Sequence, residues 1–104
     1  MKKIINGKMY NTETAVRIGY YSNGDDYGDC HWYEEVLYRK KTGQFFLYGS
    51  GGALTCYAEC TDSDGRWHRS GDAIVPLSIE QARQWAEDYL AADDYIELFG
   101  EVPE

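Results

Sequence analysis

The fold is decided by residues 34–59, which read EEVLYRKKTGQFFLYGSGGALTCYAE. Three runs rich in apolar and aromatic residues are separated in this stretch by two glycine-containing segments, 41–43 and 49–52. Glycine adopts the positive φ angles that tight reversals require, and short apolar runs separated by such turns are typical of antiparallel strands. The stretch therefore predicts a three-stranded antiparallel meander, which the rest of the chain covers or extends.

The three runs differ in pattern. The middle run, 45–48, is apolar throughout, which is typical of a central strand covered on both faces. The flanking runs, 30–39 and 54–60, alternate between two faces. Beyond them we predict a turn at 62–65, a fourth strand at 66–68 and a last extended segment at 72–77.

The first thirty residues predict smaller elements. Residues 2–10 form a hairpin in this interpretation, because Asn6-Gly7 fits a type I′ turn. Residues 11–19 predict a short helix that Asn11 or Thr12 caps and Gly19 ends. The polar segment 20–29 predicts a loop.

The clearest helix follows residue 77. Ser78 and Gln81 have the spacing of a capping box. One apolar stripe recurs at helical spacing and consists of Ile79, Ala82, Ala86 and Leu90. We predict a helix over 78–92 with one face on the sheet, interrupted by Asp93-Asp94 before a short apolar segment at 95–99. The fold class is thus α+β in a single domain, 1–104: an antiparallel β-meander of three to five strands, a C-terminal amphipathic helix packed on one face and a short N-terminal helix.

The net charge of −8 is concentrated near the end of the chain, where residues 78–104 contain eight acids against Arg83. This distribution argues against direct binding to nucleic acid, since affinity for phosphate comes mainly from Lys and Arg. An acidic helix can instead compete with nucleic acid for a basic groove on another protein. Obstruction of a conformational change, away from any such groove, fits the sequence nearly as well. A solvated helix that only provides solubility is the alternative. The predicted partner-binding residues are Glu80, Glu87, Asp88, Asp93 and Asp94.

Metal binding is the one chemical activity that the residue types suggest. Cys30, Cys56, Cys60 and His68 supply three thiolates and an imidazole, a set that suits tetrahedral zinc. On an extended strand Cys56 and Cys60 lie ~13 Å apart, at ~3.3 Å per residue, so they share an ion only if the strand breaks between them. The turn at 62–65 would bring Cys60 opposite His68. In the alternative interpretation the cysteines are small apolar residues on the inner sheet face.

No signature of catalysis or of a membrane segment is present. The glycines at 49–52 are not followed by a Gly-Lys-Ser/Thr pattern, and no local motif marks a nucleophile beside His31 or His68. No apolar run approaches the roughly 20 residues that span a bilayer. An odd number of cysteines fits a reducing compartment, so we expect a cytoplasmic, non-enzymatic protein. The alternative is a small ligand-binding module or enzyme whose pocket uses the 20–29 loop, the glycine turn and the tyrosines.

Four segments carry a family resemblance: INGKMYNTETA at 5–15, LYRKKTG at 37–43, FLYG at 46–49 and PLS at 76–78. They resemble small proteins from phages and mobile elements of Gram-positive bacteria, some of them candidate anti-CRISPR proteins, over residues 3–101. The resemblance implies a protein-binding inhibitor in the host cytoplasm, an anti-CRISPR that binds a Cas9-type nuclease and blocks nucleic-acid loading or cleavage. It carries over no site residue, and the Cys56/Cys60 pair does not belong to its pattern.

Overall fold

The computed structural model describes residues 1–24, 30–52, 55–57, 59–60, 68–69 and 71–104, with backbone alone for 59–60 and 68–69. The strands among them are Lys2–Ile5 (β1), Lys8–Asn11 (β2), Val16–Ser22 (β3), Tyr33–Arg39 (β4), Phe45–Gly51 (β5), Glu59–Cys60 (β6), His68–Arg69 (β7) and Gly71–Leu77 (β8). Helix α1 spans Ile79–Tyr89 and α2 spans Ala92–Phe99. These strands pair antiparallel, which confirms the α+β class. The predicted turn at 62–65 lies outside the described residues.

The main sheet has four strands in the order β3-β4-β5-β8. The apolar run 45–48 lies in β5, which pairs with β4 and β8 and is therefore an inner strand, as predicted. The prediction that residues 54–60 form the third strand of the meander is wrong, because β5 pairs with residues 71–77 instead. Residues 55–57 form a bend and turn instead, and Glu59–Cys60 form β6.

Gly49 and Gly51 do not form the predicted turn but have another structural role. Both lie in β5 without positive φ, whereas Gly43, in the reversal that joins β4 to β5, has a φ of 96°. A Cβ at Gly49 would lie 2.0 Å from the Tyr57 ring, and one at Gly51 would lie 2.3 Å from Thr55 Oγ1. The two glycines thus allow residues 55–57 to fold back closely over the strand.

The N-terminal hairpin is confirmed, with positive φ at both turn residues, Asn6 and Gly7. The predicted helix at 11–19 is wrong. The Asn11 side chain accepts a hydrogen bond from the Glu13 backbone N–H at 2.9 Å, so it makes an Asx turn rather than a helix cap, and β3 begins at Val16. Gly19 lies in β3, where a Cβ would come within 2.6 Å of Leu90. The predicted loop begins only after Ser22, and its residues 25–29 lie outside the described part of the chain.

The capping box at the start of α1 is confirmed. Ser78 Oγ accepts from the Gln81 N–H at 3.1 Å, and Gln81 Oε1 accepts from the Ser78 N–H at 2.8 Å. The helix break is displaced from its predicted position: α1 ends at Tyr89, and Asp93 and Asp94 lie in the first turn of α2. Carboxylates are favourable there, because they face the unpaired N–H groups of a helix N-terminus.

The two faces of the main sheet are covered by different elements. One face packs against the helices, with a buried cluster of Leu37, Phe45, Leu47, Ala82 and Trp85. The other face packs against the hairpin, with a buried cluster of Tyr10, Phe46 and Ile74. Within α1, Ala82 and Ala86 are buried as predicted, whereas Ile79 is exposed and the unpredicted Trp85 fills the core. No helix in the described part of the chain is long and apolar enough to cross a membrane.

Candidate protein-binding surface

The predicted acidic residues are exposed, but they do not form one continuous helical stripe. Glu80, Glu87 and Asp88 lie on α1, whereas Asp93 and Asp94 lie on α2, beyond the break at Leu90 and Ala91. Glu97, Glu101 and Glu104 are exposed as well. We call these eight exposed carboxylates the acidic layer. The helices therefore present negative charge over a broad surface rather than along a line.

An apolar groove opens within the acidic layer. It has a volume of about 480 Å³ and lies between α1, α2 and the C-terminal residues. Its lining consists of Ala86, Glu87, Leu90, Ala92, Tyr95, Ile96, Val102 and Pro103. We call it the helical groove. The sequence pattern does not reveal it, because it depends on the angle that the break at Leu90 and Ala91 imposes on two consecutive helices.

Asp94 has a different environment from the other predicted residues. With Glu97 it lines a second groove, of about 380 Å³, to which β3 and β4 contribute Arg17 and Arg39. This second groove therefore carries charges of both signs, unlike the helical groove, whose charged lining residue is the acid Glu87.

Glu34 and Glu35 point to opposite faces of the sheet, as alternation along a strand predicts. Glu34 accepts from the Tyr20 hydroxyl at 2.7 Å and from the Ser50 hydroxyl at 3.5 Å. Glu35 accepts from Trp85 Nε1 at 2.9 Å and from the Tyr57 hydroxyl. Each carboxylate thus binds a separate set of donors, and the two do not form an acid–base pair.

Among the tyrosines that the structure describes, four have raised pKa values. A hydrogen bond of 2.7 Å to Asp72 raises the pKa of Tyr48 to about 12, because ionisation would place a second negative charge beside the carboxylate. Burial raises the pKa of Tyr57 and of Tyr33, and the hydrogen bond to Glu34 raises that of Tyr20. A phenol with a raised pKa is a poor nucleophile or base at neutral pH. None of the four lines the helical groove or the groove beside Asp94.

These pKa shifts predict a loss of stability in alkali. A group whose pKa is raised on folding stabilises the folded state below its unfolded value, here 10.0, and this contribution is lost as the pH rises through the folded value. We expect the melting temperature to fall steeply between pH 10 and pH 12. Asp72→Asn should lower the pKa of Tyr48 in a phenolate absorbance titration. Titration of every tyrosine near 10 in the wild-type protein would contradict the hydrogen-bonding pattern.

The predicted zinc ligands are only partly described. Cys30 and Cys56 are exposed thiols, so neither is a small apolar residue of the inner sheet face. Cys60 and His68 are directly paired between β6 and β7, as the predicted turn requires, and the strand does break between residues 56 and 60. No group of three His, Cys, Asp or Glu side chains gathers among those that are described, and the side chains of Cys60 and His68 are outside that set. Zinc stays a prediction that elemental analysis of protein purified without added metal would decide.

Comparison with known proteins adds no relative. No protein-family model matches the chain, and no curated protein or solved structure is significantly similar to it. The resemblance to phage and mobile-element proteins therefore stays an expectation. The most distinctive surfaces of the described chain are the helical groove and the acidic layer around it.

Proposed function

We propose that this chain is a non-enzymatic inhibitor that binds a partner protein through its helical side. The observation that supports this is the apolar groove within the acidic layer. Protein interfaces commonly have an apolar centre that excludes water and a polar rim. A rim of carboxylates complements a surface rich in Lys and Arg, so the partner is a protein with a basic surface that also offers an apolar side chain.

Nucleic-acid-binding proteins are the class of partner that fits best. Their binding grooves are lined by Lys and Arg, because these residues supply most of the affinity for phosphate. In a Cas9-type nuclease the guide–target duplex lies in such a channel, and arginines read the PAM. We therefore propose, in line with the family resemblance, an anti-CRISPR that occupies a basic groove of a Cas9-type nuclease and blocks nucleic-acid loading or cleavage.

The acidic residues contribute unequally in this mechanism. Glu87 lines the helical groove, and Asp88 follows it on the exposed side of α1. Glu80 lies at the other end of α1 from Glu87 and Asp88. It is in the first turn, where its charge also complements the helix dipole. Long-range attraction speeds association, whereas burial of an apolar side chain in the groove sets the lifetime of the complex. Specificity therefore depends on the groove more than on total charge.

Reversing the charges beside the groove should weaken binding. We expect Glu87→Lys with Asp88→Lys to reduce affinity for the nuclease at least ~tenfold at low salt, since close charge pairs at interfaces contribute about 1.5 kcal/mol or more each. The measurement is biolayer interferometry together with inhibition of DNA cleavage.

The matched control is Glu13→Lys with Asp72→Lys, which changes the net charge equally at exposed positions outside the helices. Binding by the control should stay close to wild type. If both double variants lose affinity equally, net charge rather than the helical side determines binding, and the proposal is wrong.

A further inference from the structure

All five lysines of the chain lie at one end of the molecule. Lys2, Lys3 and Lys8 are on the β1–β2 hairpin, and Lys40 and Lys41 are in the turn between β4 and β5. The hairpin and this turn are in contact, since the Lys40 ammonium lies 3.6 Å from the centre of the Tyr10 ring and Gln44 Nε2 donates to the Tyr10 hydroxyl at 2.9 Å. We call this surface the lysine end. Glu13 is the one acid in residues 1–15 and 40–44, so the surface is strongly positive on a protein of net charge −8.

The lysine end has an exposed apolar centre. Ile4 and Met9 are directly opposite each other in the hairpin, and 66% and 52% of their surface is exposed. The core packing of the hairpin uses other residues, Ile5 and Tyr10, which contact the cluster around Phe46. Ile4 and Met9 are therefore not needed to hold the hairpin on the sheet.

A small groove adjoins this apolar pair. Its volume is about 120 Å³, and its lining consists of Met9, Asn11, Thr14, Ala15, Lys40 and Lys41. A cavity of this size accepts part of one side chain, not a drug-sized ligand. The lining combines two lysines, which attract carboxylates, with Met9 and Ala15, which offer apolar surface to a side chain.

We propose that the lysine end binds an acidic segment of a partner protein, with a large apolar side chain of that segment seated against Ile4 and Met9. Charge complementarity identifies the occupant: Lys2 shares the hairpin face of Ile4 and Met9, and two more lysines line the groove beside Met9, so positive charge flanks an apolar pair. The helical side is the inverse, because carboxylates lie around its apolar groove. The proposal does not depend on the helical side being functional, because the two surfaces share no residue.

Nucleic acid and anionic membranes fit the lysine end less well. Both carry negative charge at a higher density than an acidic peptide segment does, so the eight carboxylates of the acidic layer repel them more strongly at long range. Single-stranded nucleic acid also needs exposed rings on which bases stack, and the aromatic ring at this end, Tyr10, is buried. Lysines on edge strands can simply discourage aggregation. That explanation accounts for Lys2, Lys3 and Lys8 but not for Lys40 and Lys41, which lie in a turn, or for the exposed apolar pair.

Fluorescence anisotropy with a labelled peptide of alternating glutamate and leucine tests the proposal. We expect this peptide to bind, and a peptide with serine in place of leucine to bind about tenfold more weakly, as expected when apolar anchors are lost. Ile4→Ser with Met9→Ser should weaken binding of the leucine peptide by a similar factor without changing the melting temperature. Ile79→Ser with Ile96→Ser, on the helical side, should leave it unchanged.

Three results would overturn the proposal. The first is equal binding of the leucine and serine peptides, which would indicate attraction by charge alone. The second is unchanged binding after Ile4→Ser with Met9→Ser. The third is tighter binding to single-stranded DNA or to phosphatidylglycerol vesicles than to the leucine peptide, which would assign the surface to another class of partner.

Discussion

Gly49→Ala is expected to displace residues 55–57 from the sheet and to lower the free energy of unfolding by about 3 kcal/mol. The new Cβ would lie 2.0 to 2.3 Å from atoms of the Tyr57 ring and its hydroxyl, a separation that no packing tolerates. The ring is buried, and its hydroxyl donates to Glu35, so moving it loses apolar burial and leaves Glu35 with one fewer donor. Both costs add to the overpacking itself.

Ser50→Ala is the control for this change, because it is the next residue in β5 and its side chain lies on the opposite face. We expect it to cost no more than about 0.5 kcal/mol, since its hydroxyl makes only a long hydrogen bond to Glu34. Urea unfolding measures both variants. In Gly49→Ala, a phenolate titration should also show the pKa of Tyr57 falling towards its ordinary value as the ring reaches solvent. Equal stability of the two variants would show that Tyr57 does not pack on Gly49.

Trp85→Ala is the second change with a large expected effect. We expect it to lower the free energy of unfolding by about 3 to 5 kcal/mol. Trp85 is buried in the cluster with Leu37, Phe45 and Leu47, and its ring nitrogen donates to Glu35 at 2.9 Å. The variant loses the apolar contacts of a large ring and one donor to a half-buried carboxylate. Glu35 also accepts a hydrogen bond from Tyr57, so its carboxylate links α1, β4 and residues 55–57. Trp85→Ala removes the α1 part of this link.

Trp85→Phe separates the two contributions, since phenylalanine keeps much of the ring volume but has no N–H. We expect it to cost about 1 to 3 kcal/mol, the penalty for leaving a hydrogen-bonding group unpaired. Gln84→Ala, at an exposed position of the same helix, should change stability by no more than about 0.5 kcal/mol. Thermal or urea unfolding of the three variants gives the comparison. A Trp85→Ala variant as stable as Gln84→Ala would contradict the position of α1 on the sheet.

The features that sequence predicts correctly have local causes. Asn6-Gly7 specifies a turn with positive φ at both residues, and Ser78 with Gln81 specifies a helix start, because each pair acts through its own backbone. The run 45–48 predicts an inner strand for a similar reason, since a run that is apolar on both faces needs cover on both. These elements are enough to predict the α+β class without any knowledge of distant contacts.

The features that sequence misses have non-local causes. In sequence, Gly19, Gly49 and Gly51 resemble turn or cap residues. In the structure each lies in a strand and leaves room for another side chain that packs on it, respectively Leu90, Tyr57 and Thr55. Asn11 can cap a helix or close an Asx turn, and the β-branched residues that follow favour the strand. Only tertiary packing decides between such alternatives.

The candidate surface shows the same division. Composition identifies the acidic residues, because charge concentrated in residues 78–104 is visible in the sequence. The helical groove is not visible there, since it forms where α1 ends at Tyr89 and α2 begins at Ala92 at an angle. Nor does sequence show that Arg17 and Arg39 line the same groove as Asp94, because those residues are some 55 to 77 positions away along the chain.

The most direct measurement of the central claim compares two isoleucine variants for binding to a Cas9-type nuclease. Ile96 lines the helical groove and is 37% exposed, whereas Ile79 is 45% exposed on α1 and does not line it. We expect Ile96→Ser to weaken binding about tenfold, the effect of losing an apolar anchor, and Ile79→Ser to match the wild-type protein. Both variants should keep the wild-type melting temperature. Equal binding by the two variants, or no binding of the wild-type protein to the nuclease, would contradict the claim that the helical groove is the binding site.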